Sequence, residues 1–285
     1  METLTNVNLS INQIKKVVEQ EGGCLAWGGA ASLSPADDIL IRVERALDID
    51  SEGQMIASVL SKKAAAGATA VVIDIPVGET AKVRTQEDAE NLAKRMKAVG
   101  DSIGLSVETI ITDGSQPVGR GIGPALEAKD VLAVLKNDPD ALTDLADRAT
   151  TLAGKLLEMA EKTDVGNGKT LATEVLRSGS AWEKFQRICL AQGGLKTPPK
   201  AEYIYKVKAE KEGTITFINN RKIAKVAKLA GAPGAPSAGV LMHIALNQVV
   251  KKEETVFEIH AESEGELNYS LGYLSDNEDV IQIEK

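Results

Sequence analysis

PADDILIRVERALDIDSEGQMIASVLSKKAAAGATAVVIDIPVG, residues 35–78, is the stretch whose reading decides the fold. Ile39 to Leu47 is rich in branched apolar residues with charges interleaved, a strand-like pattern. Ser51-Glu52-Gly53-Gln54 opens a helix, with Ser51 as N-cap and Gln54 reaching back to it. Met55, Ile56, Val59, Leu60 and Lys63 then follow helical spacing. Gly67 stops the helix, because glycine enters the left-handed conformation without a Cβ penalty. Val71-Val72-Ile73-Asp74-Ile75 is apolar without alternation, which is the pattern of a strand covered on both faces in a parallel sheet.

Downstream the same grammar repeats. Thr85 caps a helix over 86–99 that has acids in its first turn and bases later, as the helix dipole prefers. Gly100 and Gly104 bracket a turn, and Leu105 to Ile111 is the next strand. DGSQPVGRGIGP, residues 113–124, is the most glycine-rich loop and sits between that strand and a helix starting near Pro124. Ligands meet doubly wound sheets at such a place, although the loop lacks dinucleotide-binding spacing. Strand, helix, strand, loop and helix in this order predict a parallel α/β sheet with flanking helices. Further helices are expected over 139–160, 170–178 and 180–190, followed by a Pro- and Gly-containing linker over 192–200. From Tyr203 short β-type runs take over, at 203–207, 213–218, 240–244, 254–260 and 280–283, with one or two helical turns over 223–229. This predicts an α/β portion over residues 1–195 and a mixed α+β region over 196–285. Upstream, LSINQIKKVVEQ, residues 9–20, is a short amphipathic helix, and Cys24 to Trp27 reads as a short buried strand. Gly28-Gly29 marks a turn, with phosphate binding the weaker alternative.

Composition removes several functions. The 285 residues suffice for one large or two medium domains, and 43% apolar with 26% charged residues is ordinary for a globular protein. A net charge of −8 and only 3% aromatic residues argue against a nucleic-acid binder and against base-stacking platforms. Cys24 and Cys189 match no metal spacing and read as free thiols of a reducing cytoplasm. No apolar run approaches the roughly 20 residues of a membrane helix. Asp37 and Asp38 pair two acids with no histidine near them, since the chain's histidines are His243 and His260. An acid-rich start of an element accounts for them, with a metal or acid/base site as the alternative. No lysine-bearing hairpin tip of a biotinyl or lipoyl carrier is present.

Ser58 and Lys62 are one helical turn apart, so their side chains project from one face. Taken alone, Lys62 reads as a solvated helix lysine, and Arg42 or Arg45 as a partner of Glu44. In context, the order Arg42, Ser58, Lys62 and a strand ending in IDIPVG resembles the nucleobase-binding segment of the thymidine phosphorylase family. These are the type II nucleoside phosphorylases, which include pyrimidine-nucleoside and AMP phosphorylases. AWGGAASLSPADDILIRVER and TDGSQPVGRGIGPALEAKDVL extend the resemblance, which covers nearly the whole chain.

The resemblance implies that Arg42, Ser58 and Lys62 recognise the nucleobase, with Lys62 and Arg42 also acting in catalysis. Ser58 and Lys62 match at the family's spacing. Arg42 matches with a one-residue shift, which leaves Arg45 as the other choice. The chemistry suits these residue types. Phosphorolysis of a C1′–N bond leaves negative charge on the departing base, which a guanidinium, an ammonium and a hydroxyl can hold. The family's phosphate-binding string Lys-His-Ser/Thr-x-Gly-Gly does not occur here. The resemblance therefore places the phosphate site upstream in a longer protein, with this chain as its C-terminal part. It further implies phosphate as co-substrate, no metal or organic cofactor, a small-molecule nucleoside or nucleotide as partner, a homodimer and a cytoplasmic location. Pyrimidine-nucleoside and AMP phosphorolysis both remain open, as does a non-catalytic oligomerisation module.

Overall fold

The structure, a computed structural model, describes residues 1–29 and 52–285. The strand-like segment at 39–47, the cap Ser51, and Asp37, Asp38, Arg42 and Arg45 lie outside the described residues.

Helix α1 spans Ile11–Glu21 and is opened by a capping box between Ser10 and Gln13. Helix α2, Glu52–Ala65, buries Ile56 and Leu60. It ends as expected at Gly67, whose φ is 76°. The Ala68 N–H reaches the Lys63 carbonyl and the Gly67 N–H that of Ala64, so the last turn's orphan carbonyls are paired. Strand β1, Ala70–Val77, follows at once. Helix α3, Gln86–Ser102, is capped by Thr85, whose hydroxyl accepts from the Asp88 N–H. Strand β2, Ser106–Asp113, lies parallel to β1 in register from Ala70 opposite Ser106 to Val77 opposite Asp113. Ala89, Leu92, Met96 and Gly100 form the buried stripe of α3. With Ile56, Leu60, Val71, Ile75, Leu105 and Val107 they close one core. At Gly100 a Cβ would lie 2.3 Å from Val107 Cγ2, so only glycine lets α3 approach β2 this closely.

The glycine-rich loop leads into β3, Gly121–Ile122, and helix α4, Pro124–Leu135, with Pro124 in the first turn where its missing N–H costs nothing. Helices α5, Thr143–Met159, α6, Gly168–Arg177, and α7, Ser180–Ala191, follow. The helix expected over 139–160 thus begins four residues later. Residues 24–27, expected as a buried strand, are irregular, and Trp27 is 61% exposed. Their backbone is held instead by Gln192, which bonds Leu25 at both its N–H and its carbonyl.

Strands β4, Tyr203–Lys208, and β5, Gly213–Ile218, precede helix α8, Asn220–Leu229, capped by Asn219. Strands β6, Gly239–Met242, β7, Val249–Val250, and β8, Thr255–Ala261, precede helix α9, Glu264–Ser275. A 3₁₀ turn at Glu278–Val280 and strand β9, Ile281–Glu284, end the chain. The strands form two antiparallel sheets of order β3-β6-β8-β4 and β7-β5-β9. Their core contains Ile215, Ile223, Val226, Val240, Val250 and Ile259, all 0% exposed. The architecture is mixed α/β, with a parallel pair of strands and two antiparallel sheets among the described residues.

Candidate functional site

Ser58 and Lys62 lie on one face of α2, one turn apart and both half-buried, while Lys63 is exposed. Ser61 sits on the same helix and donates from its hydroxyl to the Ser58 carbonyl. Next to Ser58 and Lys62 around the helix, Met55 and Val59 form the wall of a cavity of about 450 Å³. Its opposite walls come from loops at the carboxyl ends of β1 and β2, through Val83, Asp113 and Gln116. Ligand sites in parallel α/β sheets lie at this end of the strands. The cavity's lining does not include Ser58 or Lys62.

A residue that sequence reasoning missed organises this end of the sheet. Arg148 of α5 donates from Nη1 to Asp74 Oδ2 at 2.8 Å and from Nη2 to the Asp113 carbonyl at 2.8 Å. Asp74 Oδ1 also accepts from the Thr112 hydroxyl at 2.6 Å. One guanidinium therefore fastens the last residues of both parallel strands. Its planar fork suits the task, since the two donors hold a fixed separation. Both side chains of the ion pair are less than a quarter exposed, at 18% and 24%. No sequence signal announces the pair, because its members are far apart and neither belongs to a motif.

The glycine-rich loop does something other than cradle a ligand. Ser115 N–H donates to Asp113, Gly119 N–H to Asp144, and both Arg120 and Gly121 N–H to Asp130 Oδ2. Gly123 N–H donates to Glu127. An anion approaching these amides would meet carboxylates already bonded to them. The loop is thus held by the chain's own acids and is not a phosphate cradle. Its glycines serve close packing instead. At Gly78 a Cβ would fall 2.5 Å from the Gly114 carbonyl oxygen, so the loops after β1 and β2 touch backbone to backbone.

The C-terminal elements grip both loops. Asn220 at the start of α8 donates from its N–H to the Thr80 hydroxyl at 3.1 Å and from Nδ2 to the Gly114 carbonyl at 2.8 Å. Arg221 bonds the Thr80 and Ala81 carbonyls. Leu246 N–H donates to Gln116 Oε1 at 2.8 Å.

Both cysteines are thiols, and burial pushes each above its ordinary pKa, Cys189 also accepting no disulfide partner among the described residues. Among the described residues no group of three or more His, Cys, Asp and Glu side chains is placed to hold a metal ion. Among them, too, no helix is long and apolar enough to cross a membrane.

Residues 214–277 match the family described as pyrimidine nucleoside phosphorylase C-terminal domain. The whole chain is similar to curated proteins described as "Putative thymidine phosphorylase". One from Hahella chejuensis is 57% identical over 285 residues, covering 100% of this chain and 56% of its own length. One from Legionella pneumophila strain Corby is 57% identical over 281 residues, 99% of this chain and 54% of its own. One from Parvibaculum lavamentivorans is 55% identical over 284 residues, 100% of this chain and 56% of its own. The chain spans about half the length of the curated relatives it matches. Over that span, it belongs to the thymidine phosphorylase family.

Proposed function

We propose that this chain supplies the nucleobase-recognising part of a nucleoside phosphorylase. The reaction is phosphorolysis of a pyrimidine nucleoside such as thymidine, giving free base and 2-deoxyribose 1-phosphate. Lys62 and Ser58 hold the base, joined by Arg42, and phosphate is the co-substrate. Lys62 carries the chemical burden, since its ammonium offsets charge that appears on the base as the glycosidic bond breaks. The full-length protein acts as a homodimer in the cytoplasm. The observation that carries this reading is identity of 57% across the whole chain with proteins of that description. The half-buried placement of Ser58 and Lys62 on one face of α2 supports it.

Phosphate binding belongs to residues other than those of this chain, because the only amide-rich loop at the strand ends among the described residues is filled by carboxylates. The isolated 285-residue chain should accordingly show no measurable phosphorolysis of thymidine, uridine or AMP. A nucleophile that is not held loses the proximity contribution, which is large. The same assay on a protein of the relatives' full length should show turnover. Robust turnover by the purified short chain would sink the division of labour, and inactivity of the long one would sink the phosphorylase reading.

A further inference from the structure

The chain has two histidines, and both sit against one carboxylate. On β8, Glu258 and His260 are two residues apart and face the same side of the sheet. Register places Glu258 opposite Lys206 and Leu241, and His260 opposite Ile204 and Gly239. His243 follows β6 and continues the pairing through its N–H to the Val256 carbonyl. His260 Nε2 is 3.3 Å from Glu258 Oε2, and His243 Nε2 is 3.4 Å from Oε1. Each oxygen thus holds one imidazole. Lys206 on β4 adds its ammonium at 3.8 Å from Oε1. Glu258 and His260 are nearly buried, with side chains 15% and 8% exposed, whereas His243 is 36% exposed.

The cluster is wired to the strand-end loops. β6 pairs with β3 at the close of the glycine-rich loop, and Met242 N–H donates to the Arg120 carbonyl. Three residues beyond His243, the Leu246 N–H holds Gln116, which lines the cavity. We propose that His243, Glu258 and His260 form a proton-operated latch that holds the loop after β6 against the glycine-rich loop and releases it on acidification.

A carboxylate only accepts, so the neutral His260 ring carries its hydrogen on Nε2 and has Nδ1 open for a proton taken from solvent. Burial holds the His260 imidazole below its ordinary pKa, opposed by its hydrogen bond to Glu258, while Lys129 of α4 and His243 add to the lowering. Once charged, His260 claims the carboxylate more strongly than before. Lys206, Lys129 and His243 are then cations or potential cations around one anion. Of the two imidazoles, His243 is the exposed one and sits on a loop, so it is the ring that leaves. The loop at 243–248 then loses its side-chain anchor, and the Leu246–Gln116 bond opens.

Two histidines make the test clean, since each ring signal in a nuclear magnetic resonance titration is assigned by one substitution. The measurement is the hydrogen-exchange protection of the Leu246 amide, corrected for intrinsic pH dependence, followed alongside the His260 ring. We expect protection to fall about tenfold as His260 charges, while the Ile259 amide stays unchanged. His260→Gln, which keeps a neutral donor, should abolish the pH dependence, and Glu258→Gln should lower Leu246 protection already at neutral pH. Flat Leu246 protection through the His260 titration in the unaltered chain would overturn the latch, whether or not the variants fold. Full pH dependence retained in folded His260→Gln would do the same.

Discussion

The two cores of this protein are built to different standards. In the antiparallel C-terminal sheets, Ile215, Val240 and Ile259 are sealed at 0% exposure, and buried side chains are almost all aliphatic. In the parallel pair, most residues of β1 are only half-buried. Asp74 and Thr112 put a carboxylate and a hydroxyl directly into the strands. Apolar burial gives stability roughly in proportion to area, about 25 cal/mol per Å². A charge kept in a half-buried strand costs stability unless partnered. The C-terminal sheets therefore act as the frame. The parallel strands carry polar groups at their carboxyl ends and borrow rigidity from Asn220, Arg221 and Leu246.

The largest effect that would sharpen this contrast is on chemistry at α2. In the full-length protein, Lys62→Met should lower kcat/KM by about 10²-fold or more, the scale of one lost donor to a developing anion. Lys63→Met should be nearly silent, because that side chain is exposed. The reverse result would move the register of the site, and two silent variants would remove the base from this helix.

Next is Arg148→Met, which leaves Asp74 half-buried with only Thr112. We expect a loss of about 2 kcal/mol, below the range for a fully buried pair because both groups retain some solvent. Urea unfolding followed by far-ultraviolet circular dichroism measures it. A cost near zero would mean that the strand ends need no guanidinium.

Gly78→Ala should cost about 1–2 kcal/mol, since its Cβ meets main-chain atoms that have no rotamer to change. Gly104→Ala has no atom within 4 Å of the new Cβ and is penalised only by its φ of 74°. It should lose about 1 kcal/mol. If the two are equal, the loop contact is slack.

The smallest effect concerns the frame itself. The folded His260 pKa lies below the unfolded one, so the unfolded chain binds more protons as pH falls. The stability that neutral His260 provides is complete above the ordinary imidazole pKa of about 6.5 and declines below it until the folded pKa is reached. Thermal melts between about pH 7.5 and pH 5 should show this decline, and His260→Gln should flatten its part of the slope.

What the sequence made legible follows from range. Gly67, the Thr85 cap and the apolar stripe of α3 are local signals, and each appears where it was read. The i,i+4 spacing of Ser58 and Lys62 likewise needs only helix geometry to put them on one face. β3 was missed because two residues carry no periodicity, and its partner strand lies more than a hundred residues away. Helix α9 was missed because Gly265 and Gly272 dilute its pattern of Leu267, Leu271 and Leu274. The strand at 24–27 was read from apolar content, yet its backbone bonds go to the Gln192 side chain. Arg148 and Asp74 illustrate the limit most plainly, since an arginine on one helix could have answered any acid in the chain.

The contact of Gly78 with Gly114 has one more consequence. With no side chain between them, the gap between the two turns is set by the radii of main-chain atoms. Amino-acid replacement elsewhere in either turn can repaint the walls of the cavity and leave its aperture as it is. Widening the aperture takes an insertion or deletion, and a length change in one turn displaces the other with it. Along a lineage, these two turns should therefore alter their lengths as a pair while their other residues drift separately.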